Sequence, residues 1–136
     1  MKNDLFLVDT SVWIEVLPLR RGSESLRQRV DGLIAEDRVA TTGMVLLELL
    51  GGARSEDEYK RLRSMVSALH VLGVREDTWE DASWLAFQTR RKGLTIPFTD
   101  LLIATVAARS NAVVLHRDRH FDILAPHLSV QIESYV

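Results

Sequence analysis

The chain contains no cysteine among its 136 residues. Disulfide bonds and thiolate zinc sites are therefore excluded, and a reducing compartment is favoured. Only the four apolar residues Leu5–Val8 precede Asp9 near the N-terminus, too few for the core of a signal peptide. No apolar run approaches the roughly 20 residues that a membrane span needs. We therefore expect a soluble, cytoplasmic protein with no membrane partner.

Proline and glycine are scarce, with three and seven residues respectively, and no stretch rich in either divides the chain. There is also no internal repeat or low-complexity tract. Hydrophobic residues make up 46% and charged residues 26%, a balance typical of globular proteins and not of disordered ones. The net charge of −2 argues weakly against nucleic acid when taken alone. The length fits a single domain over residues 1–136.

Short apolar runs alternate along the chain with segments of helical periodicity. Leu26, Val30 and Leu33, for example, share one face of a helix that Ser23 would cap. The predicted strands are Leu5–Val8, Arg38–Thr41, His70–Leu72, Ala112–Leu115 and Val130–Val136. The predicted helices are Ser23–Asp37, Thr42–Leu50, a segment after Ser55 that reaches Leu69, Asp77–Lys92, Thr99–Ser110 and Arg119–Leu124.

Strands that alternate with helices predict a parallel sheet between two layers of helices. The strands lack an alternation of polar and apolar residues, as expected when helices cover both faces of the sheet. We predict an α/β fold: a three-layer α/β/α domain with a central parallel sheet of about five strands. Ligands in such folds bind beyond the carboxyl ends of the strands.

Four carboxylates stand in or beside apolar segments that are far apart in the chain. Asp9 and Asp118 follow predicted strands, whereas Glu48 and Asp100 lie in or at the start of apolar helices. A carboxylate that faces a core is costly unless it is paired or bound to metal. We therefore expect all four to meet at the carboxyl edge of the sheet, around a hard divalent cation.

Each acid also has an ordinary explanation when taken alone. Glu48 could face solvent from an otherwise apolar helix. Asp9 and Asp118 could serve as turn or cap residues at strand ends, and Asp100 could complement a helix dipole. These explanations weaken only jointly, because four such coincidences in one chain are improbable.

Four motifs carry a resemblance that spans nearly the whole chain. They are VDTSVWI at 8–14, LELLG at 47–51, IPFTDLLIA at 96–104 and LHRDRHF at 115–121. Each motif is weak alone, but their order and spacing are specific. Through them the chain resembles PIN-domain nucleases, and more closely the VapC toxins of bacterial type II toxin–antitoxin systems.

The resemblance implies a PIN-like fold and an endoribonuclease that hydrolyses RNA phosphodiester bonds with Mg²⁺, for which Mn²⁺ can substitute. It also implies a homodimer and a VapB-like antitoxin, whose helix would lie in an apolar groove between the first helices, near Trp13, Leu17 and Leu26, and whose tail would place a basic residue in the acidic pocket. Thr10, Ser11 or Thr99 could hold a metal-bound water through a hydroxyl, and the resemblance makes Ser11 the first choice. The implied catalytic and metal-binding acids are Asp9, Glu48, Asp100 and Asp118.

Two histidines flank the last of these acids. Many relatives carry a second acid two residues after that aspartate, where this chain has His120, so a fifth acidic ligand is in doubt. His116 and His120 could suggest a transition-metal pair, but no predicted helix contains both, and we expect solvated loop positions. Among the tryptophans, Trp79 is predicted on the core face of its helix. Basic residues that could contact phosphates are Arg90-Arg91-Lys92, Arg117 and Arg119. Complementing a helix end explains the first of these groups equally well.

Other function classes fit less well. A receiver-like phospho-acceptor domain needs a lysine after a late strand, and Lys2, Lys60 and Lys92 do not lie there. A haloacid-dehalogenase-type phosphatase needs a second aspartate where Ser11 stands. The alternative that stays open is a non-catalytic PIN-like module that binds RNA or protein, which metal binding without RNA cleavage would favour.

Overall fold

A five-stranded parallel sheet forms the centre of the molecule, which a computed structural model describes over residues 4–17 and 23–136. The strand order is β3-β2-β1-β4-β5, and every neighbouring pair is parallel. The predicted sheet is therefore confirmed. The strands are β1 (Phe6–Val8), β2 (Val39–Thr42), β3 (His70–Leu72), β4 (Val113–His116) and β5 (Gln131–Ser134).

Helices flank this sheet and complete the predicted three-layer α/β/α arrangement. A short 3₁₀ turn follows the last helix at Ala125–His127. None of the helices within the described residues is long and apolar enough to cross a bilayer. The helices are α1 (Thr10–Val16), α2 (Glu24–Ala35), α3 (Gly43–Gly51), α4 (Glu56–Val66), α5 (Glu76–Arg91), α6 (Phe98–Arg109) and α7 (Arg119–Leu124).

The core lies around the two central strands. Every residue of β1 and β4 is buried, and so is each residue of α6 from Asp100 to Ala107. The predicted all-round apolar helix is thus confirmed. The edge strands β3 and β5 are largely exposed. Full burial stabilises each large aliphatic side chain by about 1.5–3 kcal/mol, so the central strands and α6 form the rigid base beneath the sheet's carboxyl edge.

Helix α1 is the one described helix that the sequence pattern did not predict. Its seven residues are too few to display a helical period. It begins directly after Asp9, whose carboxylate accepts a hydrogen bond from the Ser11 N–H and caps the helix. Val12 and Trp13 anchor it in the core. The first acid of the predicted site therefore also starts a helix.

The predicted helix ends are largely confirmed. Ser23 Oγ accepts from the Leu26 N–H, and Ser55 Oγ accepts from the Glu58 N–H. The sequence Ser55-Glu56-Asp57-Glu58 fits a capping box, but the box is incomplete because Glu58 accepts from the backbone N–H of Arg54 instead of that of Ser55. Gly93 adopts a φ of 77° directly after α5, a conformation that favours glycine.

The prediction that Trp79 faces the core is wrong, since its side chain is 54% exposed. The buried face of α5 consists of Thr78, Ala82, Leu85 and Thr89. Thr89 can be buried because its hydroxyl donates to the Leu85 carbonyl within the helix. Two threonines make the core face polar in the sequence, so the hydrophobic pattern indicated the face that carries Trp79 instead.

Candidate active site

The carboxyl edge of the two central strands positions the predicted acids. β1 and β4 are neighbours, and the Asp9 N–H donates to the Leu115 carbonyl at 2.9 Å. Asp9 follows β1 directly, and Asp118 lies two residues beyond β4. Asp100 reaches the same edge from the first turn of α6. The three aspartates predicted from separate motifs therefore meet at the place that the topology indicated.

Asp9 is held by the residues that follow it. Its side chain is buried, and its Oδ2 accepts from both the N–H and the hydroxyl of Ser11, at 3.0 and 2.6 Å. Ser11 Oγ in turn accepts from the Arg117 N–H at 3.0 Å. Burial raises the pKa of Asp9, the hydrogen bonds from Ser11 oppose that rise, and the charge of Asp118 adds to it. Ser11 thus links the first acid to the loop that carries the last.

Asp100 is the acid whose ionisation is opposed most clearly. Its carboxyl group is buried, and burial together with nearby carboxylates raises its pKa to about 7. The neighbours responsible are Asp118, Asp9 and, more weakly, Glu48. Like charges in a buried site cannot all ionise at no cost, so the ionisation of Asp100 depends on the charges of its neighbours. A cation placed among them would remove that cost.

Glu48 lies at the rim of the site and not in the core. The expectation that its carboxylate faces a core is wrong, because α3 turns this residue toward solvent while Val45 and Leu49 pack inward. Its Oε1 accepts from the Thr10 hydroxyl at 3.0 Å, which directs it toward the start of α1. Its charge still acts on Asp100. Glu48 is therefore the exposed member of the group.

His116 is a buried residue and not the solvated loop position that the sequence suggested. It ends β4, and its Nδ1 accepts from the Asp118 N–H at 3.1 Å. Its Nε2 lies 3.2 Å from Asp122 Oδ1, and its ring packs against Phe121. Burial lowers the pKa of His116, which favours the neutral imidazole. The ring fixes the backbone that carries Asp118.

His120 was also predicted as a solvated residue, but the structure places it in the site. Its Nδ1 lies 2.8 Å from Asp118 Oδ1 and 3.2 Å from Asp100 Oδ2. The Asp118 carboxylate accepts from the His120 N–H and caps α7, which turns the imidazole back over the acids. An Asp-X-His spacing at a predicted helix start is the one signal that could have indicated this.

The donor set fits a divalent metal. Within the described residues, Asp100, Asp118 and His120 offer three ligand atoms that lie within 4.8 Å of one another. Ligands around an octahedral ion bound at 2.0–2.1 Å stand about 3–4 Å apart, so this separation is of the right scale. An ion at this place would neutralise the negative charges of Asp100 and the carboxylates around it.

An aromatic and basic surface lies beside the site. Phe98, two residues before Asp100, is 67% exposed, and the Arg90 guanidinium lies 5.5 Å above its ring. Arg91 covers Phe87 in the same way at 5.6 Å. Arg117, predicted as a phosphate contact, is paired with Glu15 at 2.6 Å. The guanidinium groups of Arg90 and Arg91 therefore lie against aromatic rings, whereas that of Arg117 is paired with an acid.

The expected antitoxin groove is not open in the described residues. Trp13 and Leu26 are both fully buried, where α1 packs against α2. Leu17 is half-buried beside them. These two side chains belong to the core, so they cannot line an exposed groove as predicted. Residues 18–22, between the two helices, lie outside the described part of the chain.

Comparison with known proteins agrees with this geometry. A family model described as the PIN domain matches residues 6–125. The chain belongs to the PIN domain family. Among curated PIN relatives, it is 30% identical over 135 residues to VapC ribonuclease Mb1587 of Mycobacterium bovis, covering 96% of this chain and 99% of that protein. It is 34% identical over 125 residues to Ribonuclease VapC51 of Mycobacterium tuberculosis, covering 88% and 85%.

Solved structures share the PIN fold. The crystal structure of VapBC-5 from Mycobacterium tuberculosis contains a chain similar to this one, with a TM-score of 0.70 and 30% identity over 97% of this chain and 98% of that one. VapBC2 from Rickettsia felis, bound to a DNA fragment of its promoter, reaches a TM-score of 0.79 at 20% identity over 97% and 99%. At that identity the second comparison concerns the fold alone.

Proposed function

We propose that this PIN domain is a metal-dependent endoribonuclease toxin of the VapC type, which hydrolyses RNA phosphodiester bonds. One observation carries the proposal: three aspartates from distant motifs meet at the carboxyl edge of the sheet, where Asp9 and Asp100 are buried and Asp118 is half-buried. A fold that only binds partners gains nothing from that arrangement. The ribonuclease names of relatives 30% or more identical over most of the chain support RNA as the substrate.

The residues of the site have separate roles in the proposed reaction. Asp9, Asp100, Asp118 and Glu48 would hold Mg²⁺, for which Mn²⁺ can substitute. When bound, the ion neutralises charge on the phosphoryl oxygens and lowers the pKa of a water. Whichever of these four acids does not contact the ion directly would accept the proton of the attacking water while the water oxygen joins phosphorus, and solvent would protonate the departing ester oxygen.

Hydroxyl and imidazole groups keep the acids in place. Ser11 donates to Asp9, and Thr10 donates to Glu48, so both act as positioning residues. We keep Ser11 as a candidate to hold a metal-bound water, although its hydroxyl already donates to Asp9 and accepts from Arg117. His116 fixes the backbone of Asp118. This preorganisation spares the acids from rearranging when the substrate arrives.

The surface formed by Phe98, Arg90 and Arg91 supports a single-stranded substrate. Unpaired bases stack on exposed aromatic rings, and guanidinium groups attract phosphates. Phe98 lies two residues before Asp100 in the sequence, and its side chain is largely exposed. We therefore propose that this surface receives RNA as it enters the site.

We propose further that a VapB-like antitoxin neutralises the enzyme and that the active form is a homodimer. A solved structure at 30% identity is that of a member of a toxin–antitoxin family, VapBC-5, which supports such a partner. An arginine or lysine of the partner would compete with metal for the carboxylates. The absence of cysteine agrees with action in the cytoplasm.

The proposal is tested with the full chain freed of any co-purifying partner. It should cleave RNA with Mg²⁺ or Mn²⁺, stop in EDTA and recover when metal is returned. Asp9→Asn should remove activity in every condition, while the surface variant Asp31→Asn on α2 serves as a matched control. Cleavage that persists in EDTA would refute the metal mechanism. Metal binding with no RNA cleavage would favour the non-catalytic binding module instead.

A further inference from the structure

We infer that His120 is a direct ligand of the divalent ion, bound through Nδ1 between Asp100 and Asp118. The inference rests on the proposed function and deepens it, because it adds a nitrogen to a site otherwise made of oxygens.

The position of Nδ1 is the first argument. This atom is buried, and it stands 2.8 Å from Asp118 Oδ1 and 3.2 Å from Asp100 Oδ2. Despite those distances, no described residue makes a well-aligned hydrogen bond with it. A ring nitrogen that is hydrogen-bonded to a carboxylate normally has its N–H directed at the carboxylate oxygen. The position of His120 Nδ1 between the two acids instead suits a ligand that binds the same ion as they do.

The backbone gives the second argument, because it fixes the imidazole in that place. The His120 N–H donates to Asp118 Oδ1 at 3.0 Å, and α7 begins there. Phe121 and Leu124 of the same helix are buried in the core. The ring is therefore attached to a packed helix, which limits the positions that it can take beside the acids.

The other histidine near the site cannot take this role. His116 is fully buried, its Nδ1 accepts from the Asp118 backbone, and its Nε2 points to Asp122. Displacing Nδ1 from the Asp118 N–H would disturb the backbone that carries that acid, and Nε2 lies on the side of Asp122, which is not one of the acids of the site. His70 and His127 contact other groups, the Asp37 backbone and Lys92 respectively. Any nitrogen bound to the ion is thus assigned to His120.

A nitrogen ligand changes which ion the site prefers. Imidazole is a softer ligand than carboxylate and suits transition metals better than Mg²⁺. The site should consequently bind Mn²⁺ and Co²⁺ more tightly relative to Mg²⁺ than a site of carboxylates alone. His120→Asp, which replaces the nitrogen donor with an oxygen donor, should lower the ratio of Mn²⁺ to Mg²⁺ affinity by about tenfold, the lower end of the changes in metal affinity that altered groups around an ion produce.

The test is pulsed electron paramagnetic resonance of the full chain loaded with Mn²⁺. The wild type should show hyperfine coupling to a directly bound ¹⁴N. His120→Gln should bind Mn²⁺ without that coupling, and the matched variant His127→Gln should retain it. The Mn²⁺ and Mg²⁺ affinities of wild type and His120→Asp are measured by calorimetry on the same preparations.

The outcomes separate this inference from the proposed function. Bound Mn²⁺ without ¹⁴N coupling in the wild type would show that His120 only pairs with the acids, and would overturn the inference while leaving a metal-dependent nuclease intact. Coupling that persists in His120→Gln would overturn it equally. Absence of both Mn²⁺ binding and metal-stimulated cleavage would overturn the inference and the proposed function together.

Discussion

Asp9 and Asp100 bear most of the electrostatic cost of the site, because both are buried among other carboxylates. Both were predictable from the sequence, since each interrupts or borders an apolar segment. Glu48 was predicted for a partly mistaken reason, as its side chain is exposed. The role of His120 was not predictable from spacing alone, because it depends on the direction in which α7 turns the ring.

The raised pKa of Asp100 predicts a pH-dependent stability in the metal-free protein. Unfolded, this carboxyl group titrates near its ordinary value of 3.8, whereas in the fold its pKa is about 7. The folded state holds the extra proton between those values, so the free energy of unfolding falls as pH rises through that window. In EDTA, thermal denaturation should show a wild-type Tm at least ~5 °C lower at pH 8 than at pH 5, since about 1 kcal/mol moves Tm by several degrees.

Asp100→Asn is the variant that isolates this effect, because it removes the ionisable group. Its Tm should change less between the two pH values than that of the wild type, and at pH 8 it should equal or exceed the wild-type Tm. Asp57→Asn, on the exposed first turn of α4, should behave as the wild type does. An equal pH dependence in Asp100→Asn and wild type would show that other groups cause the loss.

At the scale of elements, the sequence predicted the long helices and the short helix α7 well, but it missed α1 and misassigned the core face of α5. α6 is apolar nearly all round and was placed correctly. α1 has only seven residues, and its position depends on a cap from Asp9 that has a second role in the site. The core face of α5 was misassigned because it contains two threonines, whose hydroxyl groups can be buried since they form hydrogen bonds with nearby backbone groups. Local hydrogen bonding of this kind is not visible in a hydrophobic pattern.

Replacing a glycine by alanine should have opposite effects on stability at two positions. Gly93 has a φ of 77°, so Gly93→Ala should lower the free energy of unfolding by about 1 kcal/mol. Gly32 lies within α2 with no atom within 4 Å of an added Cβ, so Gly32→Ala should raise it by about 0.5–1 kcal/mol. Urea denaturation of the two variants measures both. Changes of the same sign would contradict the assigned backbone roles.

The whole molecule explains why four distant motifs form one site. The order β3-β2-β1-β4-β5 puts the ends of β1 and β4 side by side at the centre of the sheet. Alternating strands and helices were sufficient to predict a parallel sheet and the edge where ligands bind. They were insufficient to predict strand order or the packing that closes the space between α1 and α2. Those features depend on contacts between segments distant in the sequence.

The central claim is that the acids at this edge cut RNA by holding a metal, and Asp118→Asn tests it most directly. Asparagine can still accept the hydrogen bond that caps α7, so the fold should persist while one charge is lost. The measurement is the Mn²⁺-dependent RNA cleavage rate of Asp118→Asn, with the exposed α4 variant Asp57→Asn as control. Removing several kcal/mol of transition-state stabilisation should slow Asp118→Asn by about a hundredfold or more and leave the control unchanged. A folded Asp118→Asn protein that cleaves at the wild-type rate would contradict the account.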